Sequence, residues 1–83
     1  MVNTTTKLDG DRFATEITVE TIAQLYTLVN ITMNSVSGVV AKQDGYIVNA
    51  ASSMGLCCLD LTRPFTVECD AATTCKLMEE IGG

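Results

Sequence analysis

Apolar and polar residues alternate in RFATEITVE, residues 12–20. Phe13, Thr15, Ile17 and Val19 fall on one side, and Ala14, Glu16 and Thr18 on the other. A period of two marks a strand with one buried face. The period then changes. In ETIAQLYTLVNITMNS, residues 20–35, Ile22, Leu25, Tyr26, Val29 and Met33 recur at helical spacing, which predicts an amphipathic helix of about four turns. Glu20 suits the first turn through the helix dipole, and Asn34 and Ser35 suit its end. GVVAKQDGYIVNA, residues 38–50, holds two β-rich runs around Asp44-Gly45, the strongest short hairpin signal. SSMGLCCLDL, residues 52–61, reads as a short helix with Ser52 or Ser53 as N-cap. PFTVEC, residues 64–69, points Phe65, Val67 and Cys69 one way. Asp70 then caps a last helix, AATTCKLMEEI, with Thr74, Leu77, Met78 and Ile81 near one face and Gly82-Gly83 at its end. The opening MVNTTTKLDGDR has neither period. It reads as a flexible arm over residues 1–12 with a turn at Asp9-Gly10-Asp11.

The order is strand, helix, strand, strand, helix, strand, helix. Each helix needs an apolar partner, and one sheet face can serve all three. The expected fold is therefore α+β: a two-layer open-faced β-sandwich, a four-stranded antiparallel sheet with three helices on one face, forming a single domain over residues 13–83. Glu16, Thr18, Thr66 and Glu68 suit the sheet face left in water.

Composition narrows the function classes. Eighty-three residues make one small domain, 47% hydrophobic and 18% charged, with net stability on the order of 5 kcal/mol. Ten acidic against five basic residues give a net charge of −5. Nucleic acid and anionic membranes both need a basic face, so neither is an expected partner. No run reaches the length of about 18 apolar residues that a spanning helix needs, and the polar N-terminus lacks an apolar export core. The expected location is the cytoplasm, with four reduced thiols. There is no histidine. That removes the commonest general base and the commonest nitrogen ligand of metals. With no nucleophile–base pair in view, an enzyme is not expected, nor a cofactor.

The cysteines carry no metal or redox signature. Cys57 and Cys58 are adjacent, and Cys69 and Cys75 follow without a Cys-x-x-Cys or zinc-like spacing. Neighbouring side chains on a helix diverge by about 100°, so Cys57 and Cys58 do not chelate together. Cys69 and Cys75 read as small buried hydrophobes. Thr62-Arg63-Pro64 reads as a turn.

The stretch DGYIVNAASSMGLCCLDL, residues 44–61, resembles the HPr family, the small phosphocarrier domain of the bacterial sugar phosphotransferase system. The matching features are Asp44-Gly45 at the hairpin turn, Val48-Asn49 on the following strand, and Ser52-Ser53-Met54-Gly55 at the helix start. The likeness runs without gaps from this stretch back through the first helix and covers roughly Phe13 to Ile81. It departs from the family at the phosphocarrier motif, Gly-(Ile/Leu)-His-Ala-Arg-Pro at the start of the first helix. Counted without gaps, Thr21 stands at the histidine, Ala23 at the arginine and Gln24 at the proline. A phosphoimidazole passes its phosphoryl group on because its P–N bond is labile, whereas a threonine phosphate is a stable ester. The missing arginine also removes the bidentate cation for phosphate. Histidine phosphocarrier chemistry is thereby excluded. For Glu20, a helix-dipole role suffices.

The resemblance implies a regulatory or adaptor protein. Ser52 matches the family's regulatory serine, a phosphorylation site for a bifunctional serine kinase/phosphorylase. A helix N-terminus accommodates phosphate through its free N–H groups. Ser53, Met54, Gly55 and Cys57 fall on the face through which the family meets partners, among them a transcriptional regulator, and an exposed methionine suits such a surface. Two departures stand beside the serine: Ala51 where the family has lysine, and Ser53 where it has an apolar residue. The simpler role for Ser52 or Ser53 is a helix cap, and for Leu56 and Leu59 core packing. The alternative function is the same fold in a cytoplasmic protein-binding role unrelated to sugar transport.

Overall fold

A computed structural model describes residues 2–35 and 38–81. The chain runs β1 (Val2–Lys7), β2 (Arg12–Ile17), α1 (Ile22–Met33), β3 (Val40–Gln43), β4 (Tyr46–Asn49), α2 (Ser53–Leu56), β5 (Phe65–Asp70) and α3 (Ala71–Glu80). The strands form one antiparallel sheet in the order β1-β2-β5-β3-β4. The protein is thus α+β, an antiparallel sheet with three helices.

The sheet has five strands rather than four, because the expected arm is β1. Residues 4–7 pair with residues 13–16 of β2, Thr5 opposite Thr15 and Lys7 opposite Phe13. The connection is the Asp9-Gly10-Asp11 turn, where Gly10 takes φ +66, open to glycine at little cost. Three consecutive threonines have good β-propensity. Thr4 to Lys7 are all exposed, however, so no burial periodicity marked them as a strand. Met1, Gly82 and Gly83, the ends of the expected arm and last helix, lie outside the described residues.

β2 and β5 pair in register, Thr15 with Val67 and Ile17 with Phe65, and β3 lies on the far side of β5 with Ala41 opposite Val67. Ile17, Ala41, Phe65, Val67 and Cys69 point into one core with Leu28, Val29, Leu56, Leu59, Leu77 and Ile81. The Asp44-Gly45 hairpin forms as expected. Asp44 sits at φ 49 and Gly45 at φ 86, the double positive φ of a tight two-residue turn.

Two helix faces differ from the expected ones. On α1 the buried residues are Leu28, Val29 and Thr32, with Leu25 and Ile31 packed beside them. Ile22, Tyr26 and Met33, expected inside, are exposed by 70%, 60% and 65%. Thr32 can be buried because its single hydroxyl hydrogen has acceptors within reach. The carbonyls of Leu28, Val29 and Ala50 lie at 3.0, 3.0 and 2.8 Å, and the hydroxyl donates among them. On α3, Thr73, Thr74 and Leu77 are inside and Met78 is exposed. Asp70 caps α3 as expected, its carboxylate accepting the Thr73 amide at 2.8 Å.

Thr15 is fully buried, and its Oγ1 has no hydrogen-bond partner among the described residues. A desolvated, unpaired hydroxyl is a net cost. Thr15→Val keeps the shape and removes that cost. It should raise the unfolding free energy by about 1 kcal/mol in urea titrations. A loss of stability would mean that the hydroxyl has a partner.

Candidate functional site

The segment from Asn49 to Leu59 is built from the backbone outward. Asn49 ends β4 and turns the chain: its Oδ1 accepts the Ala51 amide at 2.9 Å, and its carbonyl accepts the Ser52 amide at 3.2 Å. Ser52 then takes extended backbone angles, φ −116 and ψ 120, and its Oγ accepts the Gly55 amide at 3.2 Å. That is an N-cap, as expected for one of the two serines. Gly55 is required by proximity, since a Cβ there would lie 3.0 Å from the Asn49 carbonyl oxygen. Leu56 and Leu59 point down into the core. The Val-Asn and Met-Gly pairs singled out in the sequence therefore have a local reason. Asn49 makes the turn, and Gly55 lets α2 lie against it.

This construction fixes what reaches the surface. Ser52 is half-buried, Ser53 is exposed and Met54 is 82% exposed. Gly55 is half-buried and Cys57 exposed. The expected partner-binding residues thus share one short segment, with Gly55 facing the Asn49 backbone. The helix is a single turn, Ser53–Leu56, shorter than expected. One turn carries little dipole, so any anion at Ser52 depends on individual N–H groups.

The start of α1 is closed by its own side chains. Thr21 is the N-cap, accepting the Gln24 amide at 3.2 Å, and Gln24 Oε1 in turn accepts the Glu20 amide at 2.7 Å. Glu20 precedes the cap rather than lying in the first turn. Thr21 and Ala23 are exposed. A groove of about 360 Å³ beside them is lined by Val19, Glu20, Thr21, Ile22, Leu25, Leu61 and Thr62. No cationic side chain lines this groove, so nothing in it balances a phosphate charge.

Sequence reasoning missed Gln43. Its side chain is buried at the inward register of β3, in phase with Ala41. Its Nε2 donates to the carbonyls of Asp60 and Pro64 at 2.9 and 3.2 Å, and its Oε1 accepts the Asp60 amide at 2.7 Å. One side chain thereby holds the loop that follows α2. Arg63, expected only in a turn, donates to the Asp44 carboxylate at 2.6 and 3.2 Å and closes the loop onto the hairpin tip. That carboxylate holds the Arg63 guanidinium above its usual pKa. Asp60 is held below the usual carboxylate range, first by the Thr62 hydroxyl and then by the Thr62 amide. A lowered pKa means that the ionised Asp60 supports the fold above ordinary carboxylate pKa values. That support fades as pH falls through its folded value.

The cysteines divide three to one. Cys57, Cys58 and Cys75 are exposed and Cys69 is buried, so Cys75 is not the small core residue expected. It lies on the outward side of α3, next to the buried Thr74. Burial pushes the Cys69 thiol up, opposed by its contact with the Thr74 hydroxyl at 3.1 Å. A maleimide should label three thiols of the native protein within minutes and the fourth only after unfolding, read by mass. Four labels without denaturant would contradict this packing. No group of three or more Cys, Asp or Glu side chains is placed to hold a metal among the described residues. No helix there is long and apolar enough to cross a membrane. Comparisons with protein-family models, with curated proteins and with solved structures find no match to this chain.

Proposed function

We propose that this chain is a regulatory or adaptor protein of HPr-like build, bound by a partner protein at the start of α2 and carrying no phosphoryl group on α1. The observation behind the reading is the pairing of a capped, half-buried Ser52 with an 82%-exposed Met54 two residues on. Together they offer a hydroxyl beside an adaptable apolar side chain, in a stretch with no charged residue from Gly45 to Leu59. The element order from Arg12 to Ile81 suits the reading. So does the finer architecture, a two-layer sandwich with the helices on one sheet face and β1 added at the edge. In support, Thr15, Ile17, Ala41, Phe65 and Val67 are buried on one face. On the other, Glu16, Lys42, Thr66 and Glu68 stay half-exposed, with a Lys42–Glu68 ion pair of 2.8 Å. The protein works in a bacterial cytoplasm, and its partner is a serine kinase/phosphorylase or a transcriptional regulator.

Phosphotransfer is the first test. Incubated with phosphoenolpyruvate and the first enzyme of the phosphotransferase system, the protein should stay unlabelled. Stoichiometric, acid-labile label would overturn the reading. Capture from native cytosol with phosphosite mapping is the second. Met54→Glu should lose the captured partner at unchanged circular dichroism, because the side chain is exposed. Ser52→Ala should lose any kinase-dependent phosphate and about 1 kcal/mol of stability through the lost cap. A captured protein that binds Met54→Glu as well as the parent docks elsewhere.

A further inference from the structure

We infer that the outer face of α1 is the interface of a homodimer, two copies packing their first helices antiparallel across a two-fold axis. Ile22, Tyr26, Val29 and Met33 are spaced four, three and four residues apart, the spacing of a helix–helix stripe. At 100° per residue, Ile22, Tyr26 and Met33 fall within about 40° of one another. These three are 60–70% exposed, and buried Val29 forms the floor between them. Ala23 and Asn30 flank the stripe, both exposed and uncharged, so a second helix can approach closely.

The stripe has a neighbour on the same side. The other flank of α1, through Thr27, Asn30, Ile31 and Asn34, faces Lys76, Glu79 and Glu80 of α3 across a groove. The segment carrying α2 begins at Ala50, bonded to Thr32, and reaches Leu61, which shares a groove with Ile22 and Leu25. It therefore runs back along α1 on the stripe's side.

Two features select a second copy as the occupant. The first is charge. No charged residue occurs from Thr21 to Ala41 or from Gly45 to Leu59. A chain of net charge −5 repels its own kind, and the stripe itself brings no charge against a second copy. Interface cores are depleted of charge and enriched in Tyr and Met. The second is self-complementarity and size. In an antiparallel two-fold pair Ile22 faces Met33 of the second copy at both ends, and Tyr26 lies over Val29 of the other copy. The three exposed side chains amount to on the order of 400 Å² of surface, within what a monomer exposes in one patch. Doubled by symmetry, that is about 800 Å², the size of a weak, reversible contact.

This goes beyond the docking reading, which rests on Ser52 and Met54. The variants used to test it leave those residues unchanged, so the two readings fail separately. Sedimentation equilibrium of the full chain should show a reversible monomer–dimer exchange. Ile22→Lys and Met33→Glu, each introducing an unpaired charge, should weaken it about a hundredfold at an unchanged urea midpoint. Mixing the two variants should restore a dimer, since a lysine then meets a glutamate at one end while the other end keeps its native Ile22–Met33 pair. Ile47→Lys, on the edge strand β4, should leave the parent dimer intact. Should a variant unfold, dilution of the parent followed by amide NMR replaces it, with shifts confined to α1. A monomer up to about 1 mM, a dimer indifferent to both charge variants, a mixture that stays monomeric, or dilution shifts on the sheet edge would overturn the inference.

Discussion

Leu56→Ala should lower the unfolding free energy by about 3 kcal/mol, more than half of the roughly 5 kcal/mol expected for a domain of this size. Leu56 is fully buried and is the inward side chain of the only turn of α2. Its removal deletes contacts with the core and leaves a void. Collapse of the surroundings is limited on one side, because α2 already packs closely on Asn49: a Cβ added at Gly55 would lie 3.0 Å from its carbonyl oxygen. The loss should therefore not fall below the usual range for this truncation. The readout is a urea midpoint shifted down at unchanged slope, the mark of lost stability without a change in the unfolded state. The same variant should bind its partner less well even where it is folded, since Ser52 and Met54 are presented only while α2 is docked. A loss below 1 kcal/mol would mean that α2 hangs on its backbone hydrogen bonds and not on its leucine.

How much of this was legible in the chain depends on which force ordered each element. β2 and β5 alternate cleanly because one face is buried and the other wet, and burial leaves its period in the sequence. The hairpin was legible for a local reason, the two positive φ angles at Asp44-Gly45. β1 was not, because Thr4 to Lys7 are exposed on both faces and leave no burial period, while their pairing to β2 is through the backbone. The inward face of α1 was ambiguous for a specific cause. Two stripes, Ile22-Tyr26-Val29-Met33 and Leu25-Leu28-Val29-Thr32, share Val29. The first has an apolar or aromatic residue at every position and the second ends on a threonine, yet the structure buries the second. Thr32 counts as polar in a pattern, but its hydroxyl finds its acceptor within the fold. The serine cap and the exposed methionine of the candidate site were readable from local chemistry. The tie holding the loop behind it was not, because Gln43 is 17 residues from the Asp60 groups it bonds.

That tie gives the second large effect. Gln43→Ala should cost about 2–3 kcal/mol, although glutamine is the residue type least expected in a small core. The side chain makes three hydrogen bonds to backbone groups of Asp60 and Pro64. Truncation removes all three at once and leaves an N–H and two carbonyls partly buried without partners. Unsatisfied buried groups cost more than a hydrogen bond contributes. Gln43→Leu separates the two contributions. It restores volume but no hydrogen bonds, and should recover less than half of the loss. If volume alone mattered, leucine would restore stability fully and the hydrogen bonds would be incidental. Hydrogen exchange adds a local test. The Asp60 amide, protected in the parent by Gln43 Oε1, should exchange faster in both variants, while the Leu28 amide inside α1 slows or quickens only with global stability. Loss of protection confined to residues near Asp60 would place Gln43 as the fastener between β3 and the loop that leads out of α2, and so as the residue that keeps the candidate site in place from behind.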